Sequence, residues 1–200
     1  MRVHLKGHAA VARAAAVHWR AASEAAGGPV YGRVINCSSE SFLYGPVVEP
    51  GYAAAKGGII SFTLVMAQTL APYGVRVNAI CPRAITDMTE WFFGPLKPAD
   101  ADGKPDFLAP ERVGEFVNYL ASPAADKISG QVFVVYGDMV ALLAAPTVEQ
   151  KFTATDGHFT PEELDAQLTP YFADRDPRRT YVASGVAALD TTGARLPTTR

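Results

Sequence analysis

Three short apolar runs, set apart by segments of helical character, constrain the fold of this chain more than any other feature. They lie at about 32–37, 75–80 and 131–136. None alternates cleanly between apolar and polar residues, which is the mark of strands covered on both faces, as parallel strands are. Between the first two runs lies a long helix-favouring segment at about 51–71. Between the second and third lies another at 110–121, opened by Ala109-Pro110-Glu111, where a proline gives up a backbone donor the first turn does not need. Residues 7–26 are alanine-rich and end at Gly27-Gly28-Pro29, a strong helix stop. The pattern predicts an α/β layer, a doubly wound parallel sheet with helices on both faces and right-handed crossovers. From Gly137 onward the pattern weakens. Thr160-Pro-Glu-Glu163 reads as a capping box opening a helix to about Thr169, and Asp190 to Arg200 reads as a frayed end. The expected organisation is one α/β unit over 1–145 and a partly helical C-terminal extension over 146–200.

Composition narrows the function. With 48% hydrophobic and 19% charged residues the chain is globular, and a net charge of −2 gives no electrostatic case for nucleic acid or an anionic membrane. No apolar run of about 18 residues is evident, and the N-terminus is polar and basic, so neither a membrane span nor a signal peptide is expected. Cys37 and Cys81 lack metal-like spacing and read as reduced thiols of a cytoplasmic protein.

Chemistry concentrates at Tyr52-Ala-Ala-Ala-Lys56, with Ser39 upstream. Residues four apart share one helix face. An ammonium about 4 Å from a phenolate favours it by about 4 kcal/mol at an effective dielectric of about 20, before desolvation losses. A serine hydroxyl at a neighbouring strand end can hold the substrate oxygen to which such a tyrosine gives its proton, which is equipment for carbonyl–alcohol chemistry. The spacing alone also arises on solvated helices. The flanks favour the site: Gly32-Arg-Val-Ile-Asn-Cys-Ser-Ser39 reads as turn, strand and hydroxyls, and Tyr73-Gly-Val-Arg-Val-Asn-Ala-Ile-Cys-Pro82 as loop, strand and proline stop before Thr86.

The run from about Gly32 to Thr89 closely resembles the catalytic half of the short-chain dehydrogenase/reductases, and the resemblance extends over about residues 1–140. It implies a Rossmann-like fold, an NAD or NADP cofactor and a small-molecule alcohol or ketone substrate. That family's glycine-rich T-G-x-x-x-G-x-G turn and its N-N-A-G segment do not occur in the sequence. Val3-His4-Leu5-Lys6-Gly7 matches the start of the helix that follows the family's fourth strand. The resemblance therefore implies an incomplete, truncated fold that begins midway, with an unpaired apolar edge on the strand at 32–37.

By resemblance, Tyr52 is the general acid in reduction and the base in oxidation. Lys56 supports it and binds the nicotinamide ribose, and Ser39, rather than Ser38, polarises the carbonyl. Tyr52, Lys56, Pro82 and Thr86 then form the cofactor-binding set, Thr86 contacting the carboxamide. Two positions depart from the family pattern: Arg83 stands where glycine is usual, and His4 where many members carry a relay asparagine. For His4, a relay role and a capping or packing role both stand.

Other candidates carry less. His4 and His8 lie one turn apart but lack a third ligand, so no metal site is expected. His18 and His158 have no constellation around them. A Ser39–Lys56 hydrolase dyad would leave Tyr52 idle and lacks an oxyanion-hole signature. Met88, Trp91, Phe92, Phe93 and Leu96 suit either a flap over a bulky substrate, such as a hydroxysteroid or acyl thioester, or packing on another surface. Small residues at Ala54, Gly57, Gly58 and Ser61 suit close helix approach in a homo-oligomer. Two functions are thus open: an NAD(P)-dependent oxidoreductase, or a catalytically silent half-domain serving interaction or regulation.

Overall fold

A computed structural model describes residues 1–45, 48–100, 102–146, 148–176, 186 and 189. They fall into two compact units, Met1–Leu143 with Val186 and Leu189, and the residues from 144 onward to 176. In the first unit a π-type turn at Arg2–Lys6 runs into α1 (Gly7–Ala26), followed by β1 (Gly32–Cys37), α2 (Ser41–Tyr44) and α3 (Pro50–Leu70). Then come β2 (Val75–Arg83), α4 (Glu90–Phe93), α5 (Pro110–Ala121), β3 (Val132–Tyr136) and β4 (Met139–Leu142). The second unit holds α6 (Pro161–Phe172), opened as expected by Thr160, whose hydroxyl accepts the Glu163 N–H at 3.2 Å. The expected frayed end over 190–200 lies outside the described residues.

The sheet runs β1-β2-β3-β4, with β1–β2 and β2–β3 parallel. Each junction has a local cause. Gly27 closes α1 in the left-handed region, its N–H reaching Glu24 O while the Gly28 N–H reaches Ser23 O, the paired bonds of a Schellman stop. Pro50 sits in the first turn of α3. At Gly32 the indole of Trp19 packs so closely that a Cβ would lie 2.8 Å from it, which seats α1 on β1.

β2 is covered on both faces, as its continuous apolar run requires. Val75 and Val77 pack with Ala67, Leu70 and Trp19 on the side of α1 and α3. Ile80 packs with Leu120, Phe133 and Val135 on the side of α5. Asn78, buried within this strand, is satisfied by donating to Ile128 O and accepting the Gln131 N–H.

The structure corrects three expectations. The sheet is not wholly parallel, because β4 returns antiparallel to β3 through the two-residue turn Gly137-Asp138. Gly137 has φ +58° and a Cβ there would strike the Phe107 ring, so this is a Gly-Asp hairpin whose signature stood in the sequence. Pro82 does not stop β2, which continues to Arg83. β1 ends opposite Ile80, so Pro82 lies beyond its last pair and faces a ladder, opposite Val135, on one side only. The segment Pro50–Tyr73 is, against expectation, long and apolar enough to cross a membrane by length and composition, with a mean hydropathy of 1.2. Its buried face packs on β2 instead, through Ala55, Ile59, Thr63, Ala67 and Leu70. Of the small residues of α3, Gly57 faces Phe42 and Gly58 faces Leu5 of this chain.

Candidate active site

Three hydrogen bonds fasten α3 to the carboxyl end of β1. Asn36 Nδ2 donates to Thr63 Oγ1 at 2.8 Å, Ser38 Oγ donates to Lys56 O at 2.8 Å, and Lys56 Nζ donates to Cys37 O at 2.9 Å. Thr63 and Lys56 lie on the same buried stripe of α3. This stitching treats the two serines differently. Ser38 is buried and occupied by the helix backbone, whereas Ser39 is half-buried, its hydroxyl accepting the Ser41 N–H at 3.3 Å.

Lys56 is 6% exposed, and its ammonium lies 5.5 Å from the centroid of the half-buried Tyr52 ring. The distance matches the one-turn spacing of the two residues. Leu5 crosses α3 at Gly58, where a Cβ would lie 3.0 Å from it, and this close approach brings the first turn of the chain onto the helix. His4 consequently meets Tyr52 edge-on, with ring centroids 5.3 Å apart. Burial, the Lys56 charge, the amino terminus and His8 together hold the His4 imidazole below its ordinary value, so it is neutral near pH 7. His8 Nδ1 bonds to His4 O at 2.7 Å, so the two histidines meet through a backbone carbonyl rather than as a ligand pair. Among the described residues no group of three His, Cys, Asp or Glu side chains could hold a metal.

Pro82 and Thr86 share only the sheet end with this cluster. Pro82 is within β2, and Thr86 is exposed just beyond it, its N–H donating to Thr89 Oγ1 at 2.8 Å. Met88, Trp91 and Phe92 of the following segment are largely exposed. The departure at Arg83 causes no backbone strain: the residue is the last of β2, in register with Tyr136, and has no left-handed φ.

Sequence reasoning missed the partner of Arg83. Its Nε and Nη2 donate to the two oxygens of Glu40 at 2.6 and 2.7 Å, and Tyr44 Oη donates to Glu40 Oε1 at 2.5 Å. Glu40 is 8% exposed and follows Ser39 directly. The pair raises the Arg83 guanidinium above its usual value, chiefly through the hydrogen bond to Glu40. Burial, together with Glu40, pushes the Tyr44 phenol up to about 12. The signal available was an acid beside the serine pair and a base at the end of the neighbouring parallel strand. Burial likewise pushes the Cys81 thiol up to about 12, while Cys37 is exposed.

Residues 1–138 match a family model described as enoyl-(acyl carrier protein) reductase. Over 183 residues, 91% of its length, the chain is 48% identical to hydroxyacyl-CoA dehydrogenase ChsB1 of Mycobacterium tuberculosis, of which it spans 57%. A short-chain dehydrogenase from Mycobacterium avium superposes with a TM-score of 0.70 at 34% identity, over 91% of this chain and 58% of that one. A gluconate 5-dehydrogenase from Burkholderia cenocepacia, solved with NADP and tartrate, gives 0.54 at 29% identity, over 68% and 53%.

Proposed function

The chain belongs to the short-chain dehydrogenase/reductase family, and from that premise we propose that it serves an NAD(P)-dependent oxidoreductase interconverting a secondary alcohol and a ketone on an acyl thioester. The observation that carries this reading is the Lys56 ammonium facing the Tyr52 ring beside the carboxyl end of β1, the end at which open α/β sheets bind ligands and from which the chain runs into Ser39. The likeness to a hydroxyacyl-CoA dehydrogenase supports the thioester. The exposed Trp91 and Phe92 suit its apolar acyl part.

The donor set fits the nicotinamide end of a dinucleotide. Lys56 uses one N–H on Cys37 O, and an ammonium carries three, so it retains donors for ribose hydroxyls. When bound there, the nicotinamide supplies the hydride acceptor or donor. In oxidation Tyr52 Oη accepts the hydroxyl proton as the carbonyl forms, and in reduction it returns it. Ser39 Oγ donates to the substrate oxygen and orients it. The Lys56 ammonium faces the Tyr52 ring at 5.5 Å, where it favours negative charge that develops during proton transfer, and neutral His4 meets the ring at its edge.

The test is titration of the purified chain with NADH and NADPH by nicotinamide fluorescence, followed by turnover of a 3-hydroxyacyl-CoA. Saturable micromolar binding with turnover abolished by Tyr52→Phe, at nearly unchanged dinucleotide affinity, supports the reading. Near-normal turnover in that variant overturns Tyr52 as the acid. A second reading, a silent interaction module, is favoured by the open outer edge of β1. Absence of dinucleotide binding selects it.

A further inference from the structure

We propose that Glu40 and Arg83 are a positioning pair that fixes the Ser39 hydroxyl for catalysis. This rests on the dehydrogenase reading above and extends it to residues that touch neither substrate nor cofactor. Within the turn itself Ser39 is held by two long bonds, the Ser41 N–H on its Oγ at 3.3 Å and the Phe42 N–H on its carbonyl at 3.4 Å. After the Ser38 bonds to Ile80 O and Lys56 O, the chain passes into the four-residue helix α2, whose N-terminus has no side-chain cap. The Leu43 N–H reaches Glu40 O at 2.8 Å, so the backbone of Glu40 anchors that helix. Its side chain anchors the turn to the sheet.

The geometry of that anchor is specific. A carboxylate gripped by Nε and Nη2 of one guanidinium is held in a plane as well as at a distance, which a lysine cannot do. The guanidinium is itself fixed from two further sides. It lies 5.3 Å from the centroid of Tyr136, its opposite number in β3, and Nη2 donates to Val186 O at 3.1 Å. Phe107 meets that tyrosine edge-on at 4.9 Å. Tyr44 completes the grip from the far end of α2. The ends of β2 and β3 thus set where the residue after Ser39 sits, and Ser39 Oγ can move only as far as that neighbour allows. Displacement of a reacting group by about 1 Å costs about 100-fold in rate.

The experiment compares Arg83→Met, Arg83→Lys, Glu40→Gln and the Glu40→Gln/Arg83→Met double variant with the wild-type chain. Hydrogen exchange reports on residues 38–45, and steady-state kinetics with a 3-hydroxyacyl-CoA reports on turnover. Glu40→Gln preserves shape and guards against a folding failure at Arg83. Positioning predicts that Arg83→Met and Glu40→Gln each lower kcat about 100-fold, leave the dinucleotide KM within about threefold, and speed exchange across 38–45 about tenfold with α3 and β2 unchanged. Arg83→Lys recovers part of kcat, and the double variant is no slower than the slower single one. Wild-type kcat in the single variants, unchanged exchange at 38–45 beside an active wild type, or kcat losses that multiply overturns this inference alone. A wild-type chain that neither binds dinucleotide nor turns over substrate overturns the dehydrogenase reading, and the positioning role with it.

Discussion

Replacing Lys56 by methionine separates the electrostatic work of this residue from its packing. Methionine keeps an unbranched apolar stem and loses the charge. With the ammonium 5.5 Å from the Tyr52 ring centroid, Coulomb's law at an effective dielectric of about 20 gives at most about 3 kcal/mol on a unit negative charge developing at that distance in the transition state, or about 150-fold in rate. The fold should barely notice. Losing the bond to Cys37 O costs about 1–3 kcal/mol, and removing an ammonium that is 6% exposed returns a desolvation penalty of similar size. A net change within about 1 kcal/mol shifts Tm by about 2–4 °C in a chain of this length. The assay is steady-state oxidation of a 3-hydroxyacyl-CoA at saturating dinucleotide, alongside a thermal melt and a fluorescence titration. The expected result is turnover down about two orders of magnitude, weaker dinucleotide binding and a nearly unchanged melt. Turnover within about fivefold of wild type, with Tm intact, would refute the charge argument.

Three further outcomes follow from the same structure. Cys37 is exposed and Cys81 is buried with its thiol pushed up to about 12, so iodoacetamide at pH 8 should label one thiol per folded chain and the second only in denaturant; equal labelling rates would contradict this burial. Tyr44 is neutral in the fold and raised to about 12, so the stability it contributes is complete below the unfolded value of about 10 and is lost as pH rises toward 12. Denaturant midpoints from pH 9 upward should therefore fall less steeply in Tyr44→Phe, and identical slopes would defeat the assignment. Among the described residues the outer edge of β1 has no partner strand and borders a groove of about 550 Å³ lined by Val11, Trp19, Val34 and Ile35, so the chain should self-associate with rising concentration, whereas light scattering from a concentration-independent monomer would count against an exposed edge.

What the sequence made legible was local. Tyr52 and Lys56 were readable because one helical turn joins them, and the three parallel strands because burial on both faces leaves an unbroken apolar run. β4 was not, since its apolar run is only four residues long and lies mostly exposed at the sheet edge, although its Gly-Asp turn was there to be read. Glu40 and Arg83 stand 43 residues apart, and their meeting depends on the β1–β2 register, which no local pattern encodes. The contact of His4 with Tyr52 depends likewise on Gly58 admitting Leu5. Small residues on α3 suggested a subunit contact, and two of them turned out to face this chain's own side chains.

The two cations of the site, buried Lys56 and half-buried Arg83, are partnered in opposite ways, and the difference bears on its chemistry. Arg83 is bound to a carboxylate, so the pair carries no net charge and projects little field. The Lys56 ammonium is bound to the carbonyl of Cys37, a neutral acceptor that steadies it and leaves its charge whole. An ammonium paired with a carboxylate would lend a phenolate much less stabilisation, because the nearby negative charge offsets it. Glu40 lies only one residue beyond Ser39, close enough in the chain to compete for that role. Gripped by two guanidinium nitrogens and by Tyr44, it is turned toward Arg83. The arginine that stands at the end of β2 therefore does two things at once: it fixes the turn that carries Ser39, and it engages both oxygens of the buried carboxylate that follows that serine.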